Sequence, residues 1–252
     1  FTSELDSQPS GEPDMTDLPT PTSEVSVADE SLTADADAAA ESERAAAVLV
    51  DLKPYYSGLA KDFHKATRFP WKWVPRDSQT FANVPLDIGG MICLWGERNV
   101  TVNRQVFPEK VEGIAIHREI ETLYVYHCTF FESPQGTPVY ELIFQYEDGT
   151  SASDTIRYLD DVRDWYYDAS EEQLGPTGKR SALVWHGASI VENGAAPGGI
   201  QSLRFCLTAI ENPHPDRKVK CVDLVSSKNQ SAGCILAMTL GKSTLMRRAQ
   251  PE

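Results

Sequence analysis

Val139-Tyr-Glu-Leu-Ile-Phe-Gln-Tyr146, followed by Glu147-Asp-Gly-Thr150 and Ser151-Ala-Ser-Asp-Thr-Ile-Arg-Tyr158, is the stretch that decides the fold. Its alternation puts Leu142, Phe144 and Tyr146 on one face and Glu141, Ile143 and Gln145 on the other, the period of a strand with one buried and one largely wet side. Asp148-Gly149 accepts positive φ and closes a tight hairpin into the second run. Outward from this hairpin, apolar runs separated by Gly, Pro, Asn or Asp predict strands at Gly90–Leu94, Gly113–His117, Thr122–Thr129, Ala182–His186, Ser202–Ile210, Lys218–Val225 and Gly233–Leu240. Only the alanine-rich stretch 35–50 has the propensity for a short helix. Antiparallel strands with no helices between them bury their apolar faces as a sandwich or barrel, so an all-β fold, an antiparallel β-sandwich of jelly-roll type, is expected.

Charge divides the 252-residue chain unevenly. Residues 1–47 hold twelve acids against one base, Arg44, a net −11 of the total −14, whereas 48–252 hold 25 acids and 22 bases. The expected organisation is an acidic Ser/Thr/Pro/Ala-rich arm at 1–47, disordered alone because it can bury too little apolar surface. A β-sandwich at 48–241 and a polar tail at 242–252 follow. The acidic balance argues against nucleic acid as a partner, since phosphate binding needs clustered positive charge. No run of about 18 apolar residues crosses a bilayer. A chain that begins at Phe1 rather than Met implies removal of an upstream signal peptide or anchor, so an extracytoplasmic location, tethered upstream, is expected. The five cysteines lie in or beside apolar runs at no metal-binding spacing and read as small buried hydrophobes, with one cross-strand disulfide left open. Asn99-Val-Thr101 and Asn229-Gln-Ser231 match the glycosylation acceptor pattern.

Several phrases in order carry a resemblance: Val84-Pro-Leu-Asp-Ile-Gly-Gly90, Leu123-Tyr-Val-Tyr-His127, Phe144-Gln-Tyr-Glu-Asp-Gly-Thr150, Asp164-Trp165, Trp185-His-Gly187, Glu211-Asn-Pro213, Val219-Lys-Cys-Val-Asp-Leu-Val-Ser226 and Ile235-Leu-Ala-Met-Thr-Leu240. From about Val48 to Leu240 the chain resembles the galactose-binding-like jelly-roll modules found beside bacterial glycoside hydrolases and on related exported proteins. The resemblance implies that the tyrosine before the Asp-Gly turn and the Asp-Trp pair are structural, with Trp165 filling space between sheets. It implies no cofactor, although such modules often carry a structural calcium ion. The long acidic arm departs from a typical sugar-binding member.

No sequence signature of catalysis is present: there is no Gly-x-Ser-x-Gly, no His-Glu-x-x-His, and Gly241-Lys-Ser-Thr244 has Leu236 where a phosphate loop needs glycine. Asp160, Asp161 and Asp164 around Arg163 read as a solvated turn rather than a glycosidase pair. The histidines are scattered, although strands could bring His127 and His186 together. Sugars stack C–H patches on Trp and Tyr and offer hydroxyls to Asp, Asn, Arg or His. Two clusters fit: Arg163-Asp-Trp-Tyr166-Tyr167 with Trp185 and His186, and Trp71 and Trp73 with Arg76. For the second, capping the core or anchoring a partner protein are equal alternatives. The expected function is a non-catalytic carbohydrate-binding-like module. The alternative is a structural or accessory subunit of an extracytoplasmic complex that binds partner proteins through the arm and a sandwich face.

Overall fold

The structure, a computed structural model, describes Ser42 and residues 46–59, 74–168, 170–193, 196–244 and 246. The hairpin that opened the reading is strand β8 (Pro138–Tyr146) paired with β9 (Ser151–Arg157), joined through Gly149 at φ 85°. β8 carries Leu142 and Phe144 fully buried, while Glu141 is exposed and Ile143 and Gln145 are half-buried. With β6 (Lys110–Arg118) and β13 (Val219–Ser226) these strands form a four-stranded antiparallel sheet in the order β6-β13-β8-β9.

The facing sheet is larger. β7 (Thr122–Phe130) and β14 (Ala232–Gly241) lie at its centre, with β5 (Gly90–Cys93) and β2 (Gly58–Leu59) beyond β14. On the other side of β7 come β12 (Ala196–Glu211) and its hairpin partner β11 (Ser181–Asn193). β1 (Val48–Leu49) pairs β14, and β10 (Tyr166–Tyr167) pairs β12. Within the alanine-rich stretch the described Ser42 and Ala46 are helical, as expected, and only its end, Val48–Leu49, is strand. β-branched Val48 packs against the sandwich core and pairs with Leu240.

All nine expected strands are present, and the antiparallel sheets pack as a sandwich. Between the sheets lie Leu123, Val125, Ile235 and Met238 against Tyr140, Leu142, Phe144, Val222 and Leu224. A third layer was not foreseen. The hairpin β3 (Asp77–Phe81) and β4 (Val84–Ile88) covers the outer face of the large sheet, placing Val84, Leu86 and Ile88 against Tyr124, Tyr126, Cys128 and Leu236. β7 is thus buried along its whole length on both faces, which is why Leu123 to His127 reads as continuous rather than alternating. In β14 a bulge between Ile235 and Ala237 changes the parity of the inward positions, from Ile235 to Met238 and Leu240. Among the described residues no helix is long and apolar enough to cross a membrane. A short helix, α1, spans Glu97–Thr101. Met246, in the stretch expected to be a polar tail, packs into the outer core.

Candidate functional site

The segment Arg163–Tyr167 is fixed by backbone bonding at the end of β7. Thr129 N donates to Arg163 O at 2.9 Å, Trp165 N to Thr129 O at 2.9 Å, and Arg204 N to Trp165 O at 2.8 Å. These bonds turn Trp165 inward, edge-on to Phe130 with ring centroids 4.9 Å apart, and it is a core residue of the outer layer. Asp164 is buried beside it and accepts hydrogen bonds from the backbone N–H groups of Tyr166 and Phe131, while its Oδ1 has no partner among the described residues. Desolvation, with the nearby Glu132 charge, pushes the Asp164 carboxyl up to about 7 against the opposing pull of Arg204.

The expected solvated turn is therefore a buried one. Asp161 is 4 % exposed and takes a two-pronged contact from Arg180, Nε to Oδ1 at 2.7 Å and Nη2 to Oδ2 at 2.9 Å. Arg180 Nη1 also reaches Asp154 Oδ2 at 2.6 Å, closing the edge of the sandwich between β11 and β9. A turn of this composition lies inside because each buried carboxylate can be met by guanidinium or backbone N–H donors.

Asp164, Trp165 and Tyr166 line a cavity of about 80 Å³ together with Phe130, Phe131, Asn103 and Gln105. Phe131 holds φ at 67°, a left-handed conformation costly for a bulky residue, and Arg98 lies 4.6 Å over its ring. Beyond the cavity, Tyr167 Oη and His186 Nδ1 are 3.3 Å apart with their rings edge-on, and the Arg204 guanidinium lies 5.5 Å from the Tyr167 ring.

Among the site residues expected from sequence, Tyr166 lines the cavity, whereas Tyr167 and His186, opposite Ser202 and Arg204 in register, meet on the other face of β12. Trp185 instead packs on Phe205 at 5.4 Å in the outer layer. Arg163 turns to the following loop, where it contacts Glu171 at 2.8 Å and the Gln173 carbonyl. Trp71 and Trp73 lie outside the described residues. Sequence reasoning missed Arg204, Asn103 and Gln105. Arg204 is completely buried and donates to Asp164 O, Tyr166 O and Glu171 Oε2 at 2.7, 3.0 and 2.6 Å. A charge inside the apolar run Ser202–Ile210 was its only signal, and Asn103 and Gln105 gave none.

His127 and His186 do not share a site. His127 is fully buried between the sheets, its Nδ1 2.7 Å from Tyr140 Oη and its Nε2 2.7 Å from Thr208 Oγ1. Thr208 donates to the Asp161 carbonyl, so Nε2 carries the proton and Nδ1 accepts from Tyr140. Ser181 completes the chain 2.8 Å from Thr208. Burial lowers His127 to about 3 and it is neutral. A hydroxyl–imidazole pair with no solvent access orders the core and takes no substrate. A second cleft of about 510 Å³, lined by Asp154, Lys179, Arg180, Glu211, Ser243 and Met246 among others, has no aromatic side chain among its described lining residues. Asn99 is fully buried in α1 and cannot carry a glycan in the folded protein.

No protein-family model, curated protein or solved structure matches the chain.

Proposed function

We propose that the protein is a non-catalytic carbohydrate-binding module of galactose-binding-like type, held outside the cytoplasm, whose binding surface is the mouth of the Asp164 cavity. One observation carries the reading: a buried carboxyl with an unsatisfied oxygen borders a cavity walled by Phe130, Phe131, Trp165 and Tyr166. An asparagine there would accept the same backbone N–H bonds without the desolvation that raises the acid, so the carboxyl suits a hydroxyl donor supplied from outside. The cavity is far below the roughly 300 Å³ of an enclosed ligand pocket. It takes a substituent of a sugar ring whose C–H face rests on the aromatic side chains at the cavity mouth. Asn103, at the edge of the cavity, supplies an amide to a neighbouring hydroxyl.

A second reading is favoured by Val102 and Val106, exposed at 57 % and 75 % on the loop that also brings Asn103 and Gln105 to the cavity. Such an apolar rim suits a partner protein, as an accessory subunit would need. Titration of soluble oligosaccharides against tryptophan fluorescence, with affinity electrophoresis in plant, algal and bacterial polysaccharides, separates the two. Sugar binding predicts a response weakened at least tenfold by Tyr166→Ala and unchanged by Glu112→Ala on the remote β6 strand. A flat response across the panel refutes the sugar reading and leaves the partner surface.

A further inference from the structure

β5, β14 and β7 are adjacent strands, and their registers place Cys93 opposite Cys234 and Cys234 opposite Cys128. The three thiols form one row across the large sheet. All three are buried on its outer face, beneath the β3–β4 hairpin, and all are free. The Cys234 thiol is in side-chain contact with both of its neighbours. A central thiol with two partners can bridge to only one of them, and backbone geometry distinguishes the two.

Leu94 N donates to Gly233 O at 2.9 Å, so Leu94 and Gly233 are a hydrogen-bonded pair and face each other's amides. One residue further along the same register, Cys93 and Cys234 are a non-hydrogen-bonded pair. The Cys93 amide confirms this by pointing the other way, where its N–H meets Ser57 Oγ at 2.9 Å. Because Gly233 turns its polar groups toward β5, Cys234 turns its own toward β7, which makes Cys234 and Cys128 the hydrogen-bonded pair. Non-hydrogen-bonded pairs bring their Cα atoms to about 4.5 Å, against about 5.5 Å for hydrogen-bonded ones, and their side chains closer together. A disulfide accepts both Cα separations but needs its Cβ atoms within about 3.5–4.5 Å. Only the Cys93–Cys234 pair meets the second condition without displacing backbone.

We infer that Cys93 and Cys234 form a cross-strand disulfide when the chain folds in an oxidising environment, and that Cys128 remains a thiol. Cys206 alternates with the outer-layer residues Phe205 and Leu207 and leaves that face, and Cys221 is on the other sheet, so neither competes. The oxidant is a small-molecule disulfide, oxidised glutathione. A Cys93 or Cys234 thiolate attacks the glutathione disulfide, releasing one glutathione thiol and leaving a mixed disulfide. The second cysteine then displaces the other glutathione, so two protein thiols are oxidised as one disulfide is reduced to two thiols. Because the row is sealed in the finished fold, the bond forms before β14 closes between its neighbours. Burial then holds the Cys128 thiol above its usual value and starves exchange of the thiolate it would need. This inference is independent of the binding reading.

The full-length chain, refolded from denaturant in oxidised and reduced glutathione and separately recovered from a bacterial periplasm, is unfolded in an alkylating agent and weighed. A non-reducing proteolytic map follows. The expected result is three alkylated cysteines and one linked peptide pair containing Cys93 and Cys234. The link persists in Cys128→Ala, and the thermal midpoint exceeds that of the same protein after reduction. Five alkylated cysteines in folded protein from both sources, glutathione adducts in place of the link, or a link through Cys128 would each overturn the inference.

Discussion

Two buried groups with opposite titration should cancel each other's contributions to the pH dependence of stability across mildly acidic pH, and substitution of one should unmask the other. His127 is lowered from 6.5 to about 3, chiefly by desolvation, and Asp164 is raised from 3.8 to about 7, chiefly by the same cause. Between about pH 4 and 6.5 the unfolded chain protonates His127 and the folded one does not, so this group makes stability rise with pH. Over the same interval the folded chain keeps a proton on Asp164 that the unfolded chain has lost, so stability falls with pH. One proton gained and one lost cancel, and these two groups contribute no net slope. At about 1.4 kcal/mol per pK unit, His127 alone would contribute about 5 kcal/mol and Asp164 about 4 kcal/mol across their full ranges. Asp164→Asn removes the opposing group and keeps an oxygen for the Tyr166 and Phe131 amides. Urea unfolding followed by tryptophan fluorescence from pH 4 to 6.5 should then show the variant gaining about 1.4 kcal/mol per pH unit relative to wild type, or about 3 kcal/mol over the interval. Groups common to both proteins drop out of the difference. His127→Gln should tilt the difference the other way. Parallel curves for wild type and Asp164→Asn would refute the reasoning, because they would mean that Asp164 titrates alike folded and unfolded.

Two further outcomes follow from packing. Arg204→Leu strands Glu171 and the Asp164 and Tyr166 carbonyls without their buried donor, at a cost of about 3–5 kcal/mol. Limited proteolysis should then cut between residues 170 and 180, with Arg204→Lys intermediate, and unchanged resistance would show that Arg163 alone pins the loop. A Cβ on Gly96 would lie 2.8 Å from Ala232 N and 2.9 Å from its Cα. Gly96→Ala must therefore push β14 and should lose about 1–3 kcal/mol in urea unfolding. A loss below about 0.5 kcal/mol, the range of neutral surface changes, would mean that α1 shifts freely.

The strands were legible where one face is wet. β8 and β9 alternate, and the alternation and the Asp-Gly turn point to the same structure. β7 and β14 were readable as strands but not as central ones, because a run buried on both faces loses its period and no longer says which side chain faces where. The β3–β4 hairpin hid for a different reason. Its turn residues Ala82 and Asn83 hold φ at 47° and 65°, a conformation an Asn partly announces. The Pro85 that interrupts Val84, Leu86 and Ile88, however, reads as a strand breaker. Here it is harmless, since β4 has only β3 beside it.

The candidate site was legible only as far as local sequence reaches. Asp164 to Tyr167 are neighbours in the chain, so their company was assured, but the side to which each turns depends on Thr129 and Arg204, 35 or more residues away. The acids near Arg163 misled because composition cannot distinguish a charged turn facing water from one whose charges are matched across the fold. Arg180 lies 19 residues from Asp161, and Arg204 lies 33 residues from Glu171. Burial of the pairs explains where each of these charges goes, whereas the Asp164 Oδ1 atom stays unmatched beside aromatic rings. An arginine inside an apolar strand and an acid beside a tryptophan are the same kind of signal, a polar group where packing alone would place none. The first is answered within the fold, and the second is not answered among the described residues.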